Sequence, residues 1–364
     1  MGNGAGGGCA DYKWGIKTRM FPEWTWIVGL MIGASIGSFL NVVIYRMPRG
    51  MSLGDPKHSF CPLCNTQLRL PDLIPLFSWL IQRGKCRHCG APIPARYFFV
   101  ELLTGALFAL VWWQQLIAGQ DPAAAFALSF FMAALVAVIY IDAKHFIIPD
   151  QVNAAILIIG LLYNVGLILI GDPRAYTWGM PSSIAGALVG WGALWSITLL
   201  GRLFLGKDAM GHGDIKLTRG MGAVLFPAGV GIAMALSVVV ALIGSILLVL
   251  PRLWRKKSVE TPVAEDEEPE EEYEPESIGS IFKCGLGYLL AFDVIGLFVP
   301  KFYEKWFGEN PFATEEVEDS EDWVGETTIP FGPYLAIGAI LVVLFQPTFV
   351  GWIMTYWENA TGLP

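Results

Sequence analysis

Seven stretches of this chain, near residues 24–45, 98–118, 123–141, 152–171, 182–205, 221–251 and 331–353, are long, apolar and almost free of charge. At about 20 residues each they are long enough to cross a bilayer as helices. In lipid every backbone N–H and C=O needs a partner within the protein, so a spanning segment is either a helix or a strand of a closed barrel. The ten-residue alternation of barrel strands is missing. The expected fold is therefore an all-α polytopic membrane protein, a bundle of about seven to eight transmembrane helices. Composition agrees: 54% of residues are hydrophobic and 15% charged, with a mean hydropathy of +0.52.

The net charge of −8 misleads. Residues 260–276 hold ten carboxylates and residues 309–326 hold eight, with no Lys or Arg in either. Without those 18 acids the chain has 24 bases against 14 acids. It reads as a basic membrane core carrying two acidic segments. The bases sit beside apolar runs and act as topology signals, so nothing argues for a nucleic-acid partner; the expected surroundings are a lipid bilayer. Arg46, Arg49, Lys57, Arg69, Arg83, Lys85, Arg87 and Arg96 place the 46–97 loop in the cytoplasm. Counting forward puts the 142–151 and 206–220 loops on that side as well. The tract 221–251 holds one tilted helix or two short ones. Gly222, Pro227, Gly229 and Gly231 favour an early break, and the cluster Arg252, Arg255, Lys256 and Lys257 favours two crossings.

The implied organisation has a Gly-rich tail (1–23), a first helix (24–45), a cytoplasmic module (46–97) and a membrane core (98–251). An insert (252–328), a last helix (329–353) and a short tail (354–364) complete it. The run Trp24 to Tyr45 is too long for a signal-peptide core and reads as a retained helix. Within the insert, 258–277 has the composition of a disordered segment. Residues 278–300 are apolar but contain Lys283 and Asp293. A charge at the bilayer centre is costly, so a docked or surface-lying segment is preferred there over a span.

Cys61-Pro-Leu-Cys64 and Cys86-Arg-His-Cys89 are two Cys-x-x-Cys knuckles. Together they supply the four thiolates of a tetrahedral Zn²⁺ site, which would be structural because it has no open position. Two disulfides are the alternative, suited to an oxidising compartment rather than to the cytoplasm. His58 and His88 are expected near the site but not as ligands, and Cys9 and Cys284 have no assigned role.

Asp142 opens Asp-Ala-Lys-His-Phe-Ile-Ile-Pro-Asp (142–150), and Asp214 closes Gly211-His212-Gly213-Asp214. Two carboxylates in polar loops at one membrane boundary suit a water-activating dyad, since like charges in close contact do not both ionise easily. Each could instead cap a helix or face headgroups. Gly211 and Gly213 leave room for the backbone to bend or to approach a substrate. Asp150 reads as the N-cap of the next helix, Lys216 as an interfacial anchor and Glu101 as a helix-start carboxylate. Asp208 has no stated role.

Six ordered motifs resemble the bacterial type IV prepilin peptidase family, the leader peptidase/N-methyltransferases, which are GxGD-type intramembrane aspartic proteases. They are Gly37-Ser-Phe-Leu-Asn-Val-Val-Ile-Tyr-Arg-Met-Pro48, the paired knuckles with Arg83-Gly-Lys-Cys-Arg-His-Cys89, Arg96-Tyr-Phe-Phe-Val-Glu-Leu-Leu-Thr-Gly105, Asp142 with Ile148-Pro-Asp150, Ala209-Met-Gly-His-Gly-Asp-Ile-Lys-Leu217 and Pro330-Phe-Gly-Pro-Tyr-Leu-Ala336. The resemblance implies a multi-pass enzyme of the bacterial inner membrane that cuts prepilins or pseudopilins with Asp142 and Asp214 at the cytoplasmic face. It also implies N-methylation of the new amino terminus with S-adenosylmethionine, for which Glu101 is a candidate contributor set against its reading as a helix-start carboxylate, with no cofactor-binding residues assigned. The block 252–328 departs from the family, whose corresponding loop is short. Other readings are a peptidase-only member, an inactive relative kept as an assembly partner, or a non-enzymatic transporter or scaffold with a structural zinc module. The last conflicts with aspartates at loop edges rather than at the midplane. The particular substrate, the oligomeric state and the purpose of the insert are not read from the sequence.

Overall fold

The computed structural model describes residues 21–55, 58–61, 63–206, 209–256, 277–308 and 330–345, with side chains described to 247 in the fourth stretch. The two acidic segments, residues 1–20, residues 346–353 of the expected last helix, the C-terminal tail, Cys9 and Asp208 lie outside them. The helices are α1 (Trp26–Arg46), α2 (Phe77–Ile81), α3 (Arg96–Val111, running on as a π turn through Ala118), α4 (Pro122–His145), α5 (Asp150–Ile170), α6 (Ser182–Leu205) and α7 (His212–Lys256). Then follow α8 (Ile278–Leu289), α9 (Phe292–Phe298), α10 (Pro300–Phe307) and α11 (Gly332–Phe345). Among the described residues, six helices are long and apolar enough to cross a membrane, with α7 counted once.

Helix α7 is two arms. Its backbone leaves the helical region at Phe226 (φ 61°, ψ 177°). The first arm packs along α6 in the opposite sense, Gly186 against Gly222 and Gly190 against Thr218, and along α5 in the same sense, Gly160 against Ala223. The second arm runs back against α11, Gly229 beside Val342 and Gly244 beside Tyr334. The early break expected within 221–251 is present, but the first arm begins at His212, so the stretch expected as a 206–220 loop is helical from His212 onward and Asp214 lies in a helix rather than in a loop. With both arms and α11 counted, eight helical segments run along the bundle among the described residues.

Short connections alternate the direction of the passes. The 46–95, 146–149 and 206–211 connections leave one end of the bundle, and the turns at 119–121, 171–181 and Phe226 leave the other. Small residues allow the close approaches. Gly29, Gly33 and Gly37 lie one turn apart on α1, and a Cβ on Gly33 would stand 2.8 Å from the Thr104 carbonyl oxygen of α3. The continuous core is aliphatic and aromatic, built on Phe131, Met132, Leu135, Ile141, Ile156, Leu217 and Met221, all essentially inaccessible.

At the opposite end Asp121 caps α4, accepting from the Ala124 N–H at 2.9 Å, and Gly171 (φ 71°) closes α5. Arg174 bridges Asp121 (2.7 Å) and Asp172 (2.8 Å) there.

Candidate active site and cysteine centre

Asp142 lies in the last turn of α4, and Phe146 ends that helix in the left-handed region (φ 56°). Asp214 lies in the first turn of α7, where the helix dipole favours a carboxylate. Fold and loop lengths bring both to the same end of the bundle. Asp142 is 5% exposed. Neither carboxylate has a cation partner among the described residues. The Gly332 backbone N–H faces the Asp142 carboxylate as a donor. A Cβ on Gly332 would stand 2.5 Å from Asp142 Oδ2, so a side chain there would displace the carboxylate or Ile148. Ile148 lies between the two segments, 2.9 Å from the same Cβ position and 3.2 Å from a Cβ on Gly213. Gly211 and Gly213 keep ordinary φ values; what Gly213 supplies is close packing under Ile148.

Three expectations need correction. Asp150 is the first residue of α5, but Pro149 occupies the cap position without a side-chain bond. The Asp150 carboxylate instead takes Lys216 Nζ at 2.7 and 2.9 Å and the Tyr303 hydroxyl. Lys216 is accordingly no interfacial anchor: it is 5% exposed, and its ammonium lies 4.9 Å from the Tyr288 ring centre. Glu101 stands in the second turn of α3, beyond reach of the helix end, and its Oε2 accepts from the Leu76 N–H at 2.7 Å.

The module between α1 and α3 is built on two matched turns. Cys61 N–H donates to Thr66 O and Asn65 N–H to Cys61 O; Cys86 N–H donates to Ala91 O and Gly90 N–H to Cys86 O. Asn65 (φ 51°) and Gly90 (φ 72°), each next after a knuckle, take the left-handed conformation that these turns require. The four Sγ atoms lie within 4.8 Å of one another, and Cys61 and Cys89 are 3.9 Å apart. Metal–sulfur bonds of about 2.3 Å at tetrahedral angles separate sulfurs by about 3.8 Å, whereas a disulfide needs about 2.05 Å. The donor set therefore fits one metal ion, and all four cysteines are free thiols. The Thr66 side chain and backbone hold the Cys64 thiol down at about 6, which favours the thiolate that a metal takes. His88 faces Asp72 at 4.0 Å and is not a ligand.

Arg46 ties this module to α1 by donating to the Ser52 and Leu53 carbonyls at 3.1 and 3.2 Å. A cavity of about 230 Å³ opens between module, α1 and α3, lined by Ser38, Asn41, Trp79, Tyr97, Phe98 and Glu101 among others. Asn41 is 4% exposed. Its Nδ2 donates to Tyr97 O at 3.1 Å, while its Oδ1 has no partner.

Comparison with known proteins places these features. Residues 31–115 match the bacterial peptidase A24 N-terminal domain and residues 128–249 the type IV leader peptidase family. A prepilin leader peptidase/N-methyltransferase of Dichelobacter nodosus is 36% identical over 223 residues, 54% of this chain and 73% of that protein. The chain belongs to the type IV leader peptidase family. Similarly named proteins of Aeromonas hydrophila (36% over 242 residues, 60% of this chain and 79% of the relative) and Neisseria gonorrhoeae (32% over 241, 60% and 80%) agree. No solved structure matches. As a leader peptidase family member with this many apolar helices, the protein is a multi-pass protein of the inner membrane.

Both aspartates that the sequence singled out lie at one end of the bundle in this family member, and the four cysteines converge. The sequence holds Gly332 and Ile148 only as parts of motifs. Gly332 comes against Asp142 and Ile148 packs against Gly213 and Gly332, an arrangement that joins the ends of α4, α7 and α11.

Proposed function

We propose that this chain cleaves the leader from prepilins or pseudopilins at the cytoplasmic face of the inner membrane, with Asp142 and Asp214 as its acid–base pair. The observation that carries this reading is two carboxylates from separate helices, close at one bundle end, without cation partners and backed by a glycine. One carboxylate takes a proton from water as its oxygen bonds to the scissile carbonyl carbon. The other gives a proton to the departing amide nitrogen as the C–N bond breaks. The pair titrates as a unit, so neither is named the base. Support for the cytoplasmic side is the Lys and Arg excess of the 46–97 loop, which leaves the same end. A basic leader would remain at that face while the apolar helix of the substrate lies among the enzyme's own.

The four thiolates of Cys61, Cys64, Cys86 and Cys89 would hold Zn²⁺ in a closed, structural site. Beside it, the cavity chemistry suits S-adenosylmethionine, which supplies a methyl group to the amine freed by cleavage. The unpartnered Asn41 Oδ1 is an acceptor for an amino or hydroxyl group, and the Glu101 carboxylate offers charge to a cation. Trp79, Tyr97 and Phe98 give flat apolar walls. Glu101→Gln and Asn41→Leu are expected to lose transfer of a labelled methyl group while cleavage persists. The cleavage reading is tested with a prepilin-like substrate in liposomes and Asp142→Ala and Asp214→Ala variants. Cleavage by either single variant would sink it.

A further inference from the structure

Helices α8–α10 lie beyond the residues matched to the family, yet they are docked on the machinery. His212, Lys216 and Arg219 stand at i, i+4 and i+7 on the first arm of α7, one stripe of that helix. Each meets a residue of the added segment. The Tyr288 hydroxyl lies 3.0 Å from His212 Nδ1. The Tyr303 hydroxyl bonds both Lys216 Nζ (3.1 Å) and the Asp150 carboxylate. Asp293 receives Arg219 through two bonds of 2.9 and 2.6 Å, and the Tyr288 carbonyl accepts from the same guanidinium. Arg219 and Asp293 are 3% and 2% exposed.

Further contacts seat the segment. Gly285 packs against the Trp195 ring of α6, and Tyr288 stacks on Phe307 with ring centres 5.3 Å apart. A bend of 73° separates α8 from α9. At 12 residues α8 spans about 18 Å, short of the roughly 30 Å hydrocarbon core.

We infer that α8–α10 form a brace on the catalytic arm, with Tyr288, Asp293 and Tyr303 as positioning residues for the Asp142–Asp214 pair. The bonded residues flank both acids: His212 and Lys216 lie two positions either side of Asp214, and Asp150 begins the helix that follows the Asp142 loop. Tyr303 ties the start of α5 to the start of α7, which fixes the separation of two carboxylates carried by different segments. Asp293 engages Arg219, five residues on from Asp214, and so anchors the same arm of α7 through the face turned away from that acid. The brace rests on the reading of these acids as the catalytic pair.

The test uses the full chain in liposomes with a peptide bearing a basic leader and an apolar helix. Tyr288→Phe, Tyr303→Phe and Asp214→Asn are compared with wild type for kcat, KM, melting temperature and zinc content. The tyrosine variants each remove one hydroxyl and keep the ring packing. Expected in each is a fall in kcat on the order of tenfold, from displaced geometry, with KM, melting temperature and zinc unchanged. Wild-type kcat in both, or a loss that only parallels loss of folded protein, overturns the brace. Cleavage by Asp214→Asn overturns the underlying dyad reading instead. An inactive Asp214→Asn beside fully active tyrosine variants removes the brace alone.

Discussion

The two ends of the bundle treat their aspartates differently. At the turn end, Asp121 and Asp172 share Arg174, which is 48% exposed on its side chain, and water screens the cluster. At the other end, Asp150 and Asp293 have their own buried cations, Lys216 and Arg219, while Asp142 and Asp214 have none. A buried cation would be drawn to the nearest free carboxylate, because attraction strengthens as the surroundings dry. Both cations are occupied by other acids, Asp293 being one from the added segment, and both project from the face of α7 turned away from Asp214. Carboxylates at the turn end hold loops together; at the other end, among the described residues, two acids are paired with buried cations and two are not.

The largest expected effect comes from the unpaired acids. Asp142→Ala or Asp214→Ala should lower cleavage by at least about 10³-fold, the scale of a lost acid or base. Zinc content and melting behaviour should stay as in wild type, since no ion pair is broken. A large loss of stability instead would mean that these acids are structural like their neighbours, and the comparison would break.

Next is the module at the same end. Cys86→Ser, or treatment with a strong chelator, should release the single metal measured by elemental analysis and loosen the 46–97 segment, because structural zinc binding is folding free energy. Methyl transfer should fall further than cleavage, as the cavity is walled by this module.

Asp293→Asn should follow, costing about 3–5 kcal/mol by leaving Arg219 buried without its charge partner. Thermal unfolding in detergent measures it. The double variant Arg219→Met/Asp293→Met should recover most of that loss, since an apolar pair of similar size avoids burying a lone charge.

Asp172→Asn at the turn end should have the smallest effect, a slight fall in melting temperature at neutral pH with cleavage unchanged. Its sign with pH is set by Arg174, whose side-chain hydrogen bond holds the Asp172 carboxyl down at about 2. A carboxyl lowered on folding stabilises fully above its usual value near roughly pH 4 and ceases to as pH falls through the lowered one. The difference between wild type and variant should therefore vanish near pH 2. A difference that persists in acid would show that the turn end depends on packing rather than charge.

Much was legible in the chain. The apolar runs placed most of the helices, and Gly222, Pro227, Gly229 and Gly231 marked the break realised at Phe226. The cysteine spacing placed the cluster, because two knuckles of fixed local geometry have few ways to present four sulfurs. Asp142 and Asp214 stood out because charge beside an apolar run is conspicuous. The partners of Lys216, Asp150 and Glu101 are not legible locally for one shared reason. A cap or an interface anchor is a local role, whereas each of these side chains takes a partner from elsewhere in the chain.

The sequence by itself determined that the protein is a helical bundle in a membrane, that four thiols can gather around one ion, and that two aspartates border apolar runs. These follow from hydrophobicity, spacing and the need of a backbone in lipid to bond to itself. Only the tertiary structure decided which charges neutralise which. Asp293 and Arg219 are 74 positions apart and Tyr303 and Asp150 are 153. Pairings of that reach are set by how helices pack, and no local pattern encodes them.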